Sequence, residues 1–348
     1  MSDALEMVFE KSIDLGKVRA MLAEARARAS RDQDERICTL NLVATYFSPS
    51  GFDKARPALE AAGAVHPCRL IALVSEPHEP GDAVHVEVSV IRSGASVAHE
   101  RVVFTATGTA VRHLQSAMLG LLIPEVPVVF VWGGRPEGPL FWKALENADR
   151  VIIDSATRPL QTLIRTSELV AEGAPVGDLA WARIFPWQAT AADMLDLPNL
   201  REHRGRIDRA RITSAGAPGP EAALLAGWFA SRVKRARVEL ETGPFPQETG
   251  ADSGSAVRAP PVHEGQVTRL DFEAAPAAFS IHRERDVLVA EVRGDDDGQI
   301  VQRLRLPAET PGKLLGMELS LLSGIDELYA AALREGARLS APHAGAHR

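Results

Sequence analysis

Five apolar residues in succession, Val128, Val129, Phe130, Val131 and Trp132, run into Gly133, Gly134 and Pro136. A run that is apolar at every position is apolar on both faces of a pleat. It predicts a strand covered on both sides, the usual state of a parallel strand between helical layers. The two glycines and the proline end the run, and the glycines allow a positive φ in the turn. Comparable runs rich in apolar and β-branched residues predict strands over 37–47, 68–75 and 150–155. Residues 84–92 and 98–107 alternate instead, with Val84, Val86, Val88 and Val90 on one face, so they are expected to pair as an antiparallel hairpin through 93–96.

Helical spacing appears at 14–30, where Val18, Leu22 and Ala25 share a face, and at 108–122, where Val111, Leu114, Met118 and Leu122 form a stripe. A short helix is expected to end near Gly63, with Pro57 tolerated only in its first turn. Another spans 159–171, with Thr157 as its cap and Pro159 in its first turn. The second half restarts with strand 207–214, loop 216–220, helix 221–232 and strand 235–240. Four short strand patterns occupy 266–306, and helical patterns at 311–321 and 325–339 close the chain.

The fold class that follows is α/β: two α/β domains with mixed parallel and antiparallel sheets flanked by helices. An internal duplication is one alternative, in which residues 314–322 echo 114–122. The expected division is an N-terminal helical segment, 1–36, and an N-terminal α/β domain, 37–175. A C-terminal α/β domain, 176–340, follows with a mobile loop at 242–264 rich in Pro, Gly and Ser, then a disordered tail, 341–348.

Charge and cysteine content narrow the function classes. Lysine and arginine number 39 against 46 acidic residues, a net charge of −7, which argues against a nucleic-acid binder. No apolar run approaches the ~18 residues of a membrane span, and the acidic opening residues lack the apolar core of a signal peptide. Two cysteines, Cys38 and Cys68, are too few for a disulfide scaffold. The expectation is a cytoplasmic protein with reduced thiols, the two cysteines being the candidate redox pair.

Signatures of phosphate loops, dinucleotide turns, serine hydrolases and zinc proteases are absent from the sequence, and no catalytic, metal or cofactor residue is assigned. Three constellations remain. His66, Pro67, Cys68 and Arg69 stand at a strand entrance, where an arginine fork could hold an anion or pair with an internal carboxylate. Trp132, Gly133, Gly134 and Arg135, with Asp154 and Ser155, lie just past two apolar strands, the edge where open α/β sheets bind ligands. In a parallel sheet His66 would face the opposite edge. Trp181, Phe185 and Trp187 form an aromatic group that fits a core or a partner anchor.

Taken together, ICTLNLV, HPCR before an apolar strand, LLIPEVPVVFVWGG, RVIIDSA, DLAW with FPW, and EAALLAGWFASR resemble the glucose-6-phosphate dehydrogenase assembly protein (OpcA) family over roughly residues 37–235. Where the family tends to carry a threonine and a basic residue around Pro-Trp, this chain has Phe185 and Gln188. The resemblance implies a non-enzymatic protein partner of glucose-6-phosphate dehydrogenase that promotes its active oligomer at the head of the oxidative pentose phosphate pathway. The alternative is an enzyme or sensor that binds a phosphorylated sugar at the Trp132–Arg135 strand end.

Overall fold

A computed structural model describes residues 4–10, 12–29, 38–93, 97–198, 200–245, 262–293, 299–306, 310–321 and 326–343. The expected hairpin turn at 93–96, most of the loop at 242–264 and the end of the tail fall largely outside these residues. The chain divides into two compact units, one of 1–153, 175–177 and 310–324, the other of 154–174, 178–309 and 325–348.

The first unit is built on a mixed sheet. Its strands are β1 (Leu5–Glu10), β2 (Leu40–Tyr46), β3 (Cys68–Glu76), β4 (Ala83–Ser93), β5 (Val97–Thr107), β6 (Val128–Trp132), β7 (Arg150–Ile153) and β8 (Val176–Asp178), in the order β1-β4-β5-β3-β2-β6-β7-β8. β3 and β6 flank β2 in parallel, β5 runs parallel to β3, and β7 runs parallel to β6. The apolar run is therefore the interior strand that its composition predicts. Val129, Phe130 and Trp132 are buried, and their side chains lie on both faces of the pleat. The alternating pair β4 and β5 is antiparallel as expected, with Val84, Val86, Val88 and Val90 all buried. β1, which the sequence reading passes over, adds antiparallel to β4 as an edge strand.

Helices α1 (Leu15–Ala29), α2 (Pro49–Val65), α3 (Leu114–Leu119), α4 (Pro139–Asn147) and α9 (Pro311–Leu319) belong to this unit. α2 begins eight residues before Pro57. Ser48 caps it by accepting from Gly51 N, and the proline sits inside the helix, not in its first turn. The stretch 108–122 opens as a 3₁₀ segment, Gly108–His113, and only then becomes α3. α9 packs on α2, and a side chain at Gly312 would collide with Ala58 and Ala61 of α2. Residues 114–122 and 314–321 therefore both lie in the first unit, which places the proposed echo within one unit and not between two repeats.

Buried charge is paired across the unit. Arg150 on β7 donates to Glu318 on α9 at 2.6 Å, with side chains 3% and 2% exposed. A methyl group at Gly177 would lie 2.6 Å from the Arg150 guanidinium and would also press on Glu318, so a side chain there would displace the buried pair. Arg101 and Arg56 share Glu60 and Glu87 in a closed ring of four alternating charges linking α2, β4 and β5.

The second unit holds β9 (Arg209–Ala215), β10 (Arg237–Gly243), β11 (Val267–Ala274), β12 (Ala277–Glu284), β13 (Val287–Arg293) and β14 (Gln299–Arg305), in the order β10-β9-β11-β12-β13-β14. β9 and β10 are parallel, joined by α8 (Pro220–Arg232), and the later strands form an antiparallel meander. α5 (Leu160–Ala171), α6 (Leu179–Arg183), α7 (Phe185–Asp196) and α10 (Glu327–Ser340) complete the unit. α5 starts one residue after Pro159, which occupies the cap position without a side-chain bond; Thr157 does not cap it. α8 and α10 cross closely because Gly227 and Gly336 carry no side chain at the contact. Two mixed sheets flanked by helices are thus the observed architecture.

Replacing the fully buried Val129 with Asp is expected to abolish the cooperative thermal transition followed by circular dichroism, since the new carboxylate has no partner. Glu318→Gln should lower stability by about 3 kcal/mol or more in urea titration. The double change Arg150→Met with Glu318→Leu should cost less, because it leaves no buried charge stranded.

Candidate functional site

His66 and Arg69 stand at the amino-terminal edge of the first sheet. His66 follows α2, its backbone N–H reaching Ala62 O at 2.9 Å and its Nε2 lying 3.2 Å from Gly316 O. Arg69 on β3 lies in register with Glu100 on β5, donates to its Oε2 at 2.8 Å and donates to Leu121 O at 2.6 Å. Arg26 on α1 donates to the other oxygen of Glu100 at 2.5 Å. Burial works to raise the Glu100 carboxyl, but the two guanidinium groups outweigh it and hold its pKa below the ordinary value. The fork at Arg69 therefore faces an internal carboxylate.

Both cysteines are free thiols beside this group. Cys68 opens β3 opposite Leu40, whereas Cys38 precedes β2 and does not lie on a strand as the sequence reading supposes. Burial pushes the Cys38 thiol up to about 11 and the Cys68 thiol to about 12, so neither is a ready thiolate at neutral pH.

Trp132, Gly133, Gly134 and Arg135 lie at the opposite, carboxyl-terminal edge, as the parallel pairing requires. Neither glycine uses the positive φ open to it. Both are needed for close approach. A Cβ at Gly133 would lie 2.6 Å from Thr45 O, and Gly134 backs directly onto the Phe47 ring. Gly133 N donates to Thr45 O at 2.9 Å, so the turn is stitched to the end of β2. Trp132 Nε1 donates to Arg135 O at 2.7 Å, and its ring meets Phe47 and Phe141 edge-on at 5.7 and 5.2 Å. The Arg135 side chain is 79% exposed, with Glu137 3.9 Å away.

Asp154 and Ser155 belong to the second unit, where they join a polar cluster. Asp154 accepts a two-pronged bond from Arg183 of α6, at 2.7 and 2.8 Å. Burial opposes ionisation of Asp154, yet this fork lowers its pKa overall. Glu221, in the first turn of α8 and 3% exposed, lies 3.9 Å from Arg183 and 3.4 Å from His263 Nε2. The contact with Glu221 raises the His263 pKa. Asp178 caps α6, its Oδ1 accepting from Ala180 N at 2.9 Å and Ser155 N at 3.0 Å. Burial raises its pKa to about 7 despite these donors. Its Oδ2 and the buried Ser155 Oγ have no partner of good geometry.

Sequence reasoning found Asp154 and Ser155 but missed Arg183, Asp178, Glu221 and His263. The acid in the first turn of α8 was a usable signal, because helix amino termini favour carboxylates. The 29 residues between Asp154 and Arg183 offered none. Of the aromatic group, Trp181 and Trp187 are buried, Trp181 against Tyr329 at 5.7 Å, whereas Phe185 is 55% exposed. Among the described residues no group of three or more His, Cys, Asp or Glu could hold a metal ion, and no helix is long and apolar enough to cross a membrane.

Asp178 sets a pH dependence with a definite sign. The unfolded carboxyl ionises near its ordinary ~3.9, the folded one near 7. Between these values the native state holds a proton that the unfolded chain has lost, so this contribution to stability falls as pH rises through the window. Urea midpoints from about pH 4 to about pH 8 should show Asp178→Asn gaining stability relative to the parent as pH rises, because the amide does not titrate. Thiol alkylation at neutral pH should be slow at both cysteines in the folded protein and fast in denaturant.

Two family models match the chain in succession. One, for the N-terminal domain of the glucose-6-phosphate dehydrogenase subunit, covers residues 59–169, and the other, for the C-terminal domain of that subunit, covers 174–333. The OxPP cycle protein OpcA of Synechocystis sp. is 29% identical over 194 residues, 51% of this chain and 41% of that protein. That of Nostoc punctiforme is 31% identical over 179 residues, 49% and 38% respectively. These alignments span about two fifths of the relatives' length. Among solved structures, the 3-ketoreductase KijD10 of Actinomadura kijaniata, in a mutant form, aligns at 13% identity and a TM-score of 0.47 over 86% of this chain and 96% of its own. An aldose-aldose oxidoreductase of Caulobacter crescentus aligns at 9% and 0.46 over 87% and 96%. The paired domain models, matched along most of its length, make this chain a member of the OpcA family of glucose-6-phosphate dehydrogenase assembly proteins.

Proposed function

We propose that this chain is a non-catalytic cytoplasmic assembly factor that binds glucose-6-phosphate dehydrogenase and favours its active oligomer. The observation that carries the reading is the succession of the two glucose-6-phosphate dehydrogenase domain models over residues 59–169 and 174–333. The physical basis is mass action. A partner with higher affinity for one oligomeric state raises the population of that state by its differential affinity, without taking part in the chemistry.

The state of the candidate groups supports the same reading. Arg69, Asp154 and Arg183 are engaged with opposite charges inside their own unit. Arg135 and Phe185 instead present an exposed guanidinium and an exposed aromatic ring, residue types that carry binding energy at protein interfaces. The net charge of −7 is unfavourable for nucleic acid, so the expected partner is a protein.

The test is a titration of purified dehydrogenase with this chain, reading activity and mass together. Stimulation accompanied by a shift to a larger assembly is the expected result. Arg135→Ala should weaken stimulation by about threefold at low salt and by less at high salt, as an exposed charge acts through screened electrostatics. Unchanged activity and unchanged mass would overturn the proposal. Thermal stabilisation of the chain by glucose 6-phosphate in that case would favour a sugar-phosphate sensor.

A further inference from the structure

We infer that the first unit carries a binding site for a small amphiphilic anion, with an aromatic or apolar body and one phosphate, sulfonate or carboxylate, in the cleft over the carboxyl ends of β2 and β3. This does not rest on the assembly reading, and either can fail without the other.

The position comes from topology. In the order β5-β3-β2-β6-β7 the chain leaves β2 toward β3 on one side, then returns to β6 on the other. β2, β3 and β6 run parallel, so their carboxyl ends share one edge of the sheet, the edge at which open α/β sheets bind ligands. A cleft of 380 Å³ opens at this edge, within the size range of small-molecule sites.

Its lining selects the ligand. Tyr46 and Phe47, at the end of β2, supply aromatic surface, and Leu140 of α4 adds an aliphatic wall. Phe47 is held edge-on by Trp132 and backed by Gly134, yet remains 50% exposed. It is a fixed ring with a face left for another apolar group. The two aliphatic hydroxyls within the cleft are committed to the backbone. Ser75 Oγ donates to Tyr46 O at 3.3 Å, and Thr45 Oγ1 to Val131 O at 3.5 Å. An aromatic body loses little on entering against these apolar walls.

Two cations from different elements complete the lining, Arg112 in the 3₁₀ segment after β5 and Lys143 on α4. Arg112 Nε donates to His113 Nε2 at 3.3 Å. The Lys143 ammonium sits 2.5 Å from Glu146, with both side chains more than half exposed. Such an exposed pair is weak, so an arriving anion can compete for the ammonium. The cleft thus joins a rigid apolar body to a cationic margin, which is the complement of a planar ring bearing one negative group.

Fluorescence titration with 1-anilinonaphthalene-8-sulfonate and its uncharged counterpart N-phenyl-1-naphthylamine separates the two halves of the claim. The sulfonate should bind at a single saturable site roughly tenfold more tightly than the neutral dye, as expected for a charged contact. The double variant Arg112→Ala, Lys143→Ala should abolish that preference while keeping the parent melting temperature. Leu140→Trp, which fills the cleft, should remove binding of both dyes; Leu140→Phe serves if the larger ring unfolds the unit. Equal affinity for the two dyes, absence of saturable binding, or sulfonate binding unaffected in both the double variant and the filled-cleft variant would overturn the inference.

Discussion

A guanidinium group cannot be taken beneath a protein surface unless a carboxylate goes with it, since an unpaired buried charge costs more than any local packing returns. Much of the first unit is arranged to meet that condition. Arg150 on β7 reaches Glu318 on α9, which ties the sheet to a helix 168 residues away, and Gly177 leaves room for the pair. Arg69 and Arg26 converge on Glu100, joining β3, β5 and α1. Arg101 and Arg56 close a ring with Glu60 and Glu87. The second unit obeys the same constraint at Arg183, Asp154 and Glu221. These pairs add little net stability compared with a well-packed apolar contact. They do restrict which elements can be neighbours, because each wrong pairing would strand a charge.

That constraint explains what the sequence disclosed and what it withheld. The apolar run 128–132 was legible as an interior strand because burial on both faces needs an apolar residue at every position. β4 was legible because one-sided burial needs alternation. Leu5, Met7 and Phe9 alternate in the same way in β1, yet only Phe9 of the three is buried, and a short edge strand carrying Glu6 and Glu10 gives a faint pattern. Ser48-Pro49-Ser50-Gly51 is ambiguous in sequence because it satisfies both a turn and a capped helix start; the Ser48 hydroxyl, accepting from Gly51 N, decides for the helix. At Gly133 and Gly134 the residue type was informative, but the freedom it signals is used for close approach and not for a positive φ. They make room for Thr45, Tyr46 and Phe47, which is a property of the neighbouring strand and leaves no trace in the local sequence.

The candidate sites divide along the same line. An arginine beside a strand reads identically in sequence whether its carboxylate will come from a ligand or from the chain itself. Arg69 and Glu100 are 31 residues apart, Asp154 and Arg183 are 29, and only register or helix placement brings each pair together. Asp178 was hidden for the opposite reason. A lone aspartate before a helix announces a cap, and it does cap α6, but its raised pKa arises from complete burial, which no short motif encodes.

What remains at the surface bears on function more than what is buried. Catalysis of the acid–base kind asks for a titratable group with an unmet hydrogen bond facing a cavity that substrate can enter. In the cluster around Asp154 the Arg183 fork is already used by a carboxylate, and the unpartnered atoms, Ser155 Oγ and Asp178 Oδ2, are closed off from solvent. The cluster meets solvent at Asp154 and His263, whose side chains are 43% and 34% exposed, and both are engaged, with Arg183 and Glu221. At the carboxyl edge of the first sheet the order is reversed. The turn after β6 is fixed by glycine contacts and by the indole bond to Arg135 O, while the Arg135 side chain and the Phe47 ring project from that fixed base. A rigid backbone presenting exposed arginine and aromatic groups loses little conformational entropy when something settles on it. Recognition is what such an edge is suited to do, whether the occupant is a protein surface at Arg135 or a small anion in the cleft beside Phe47.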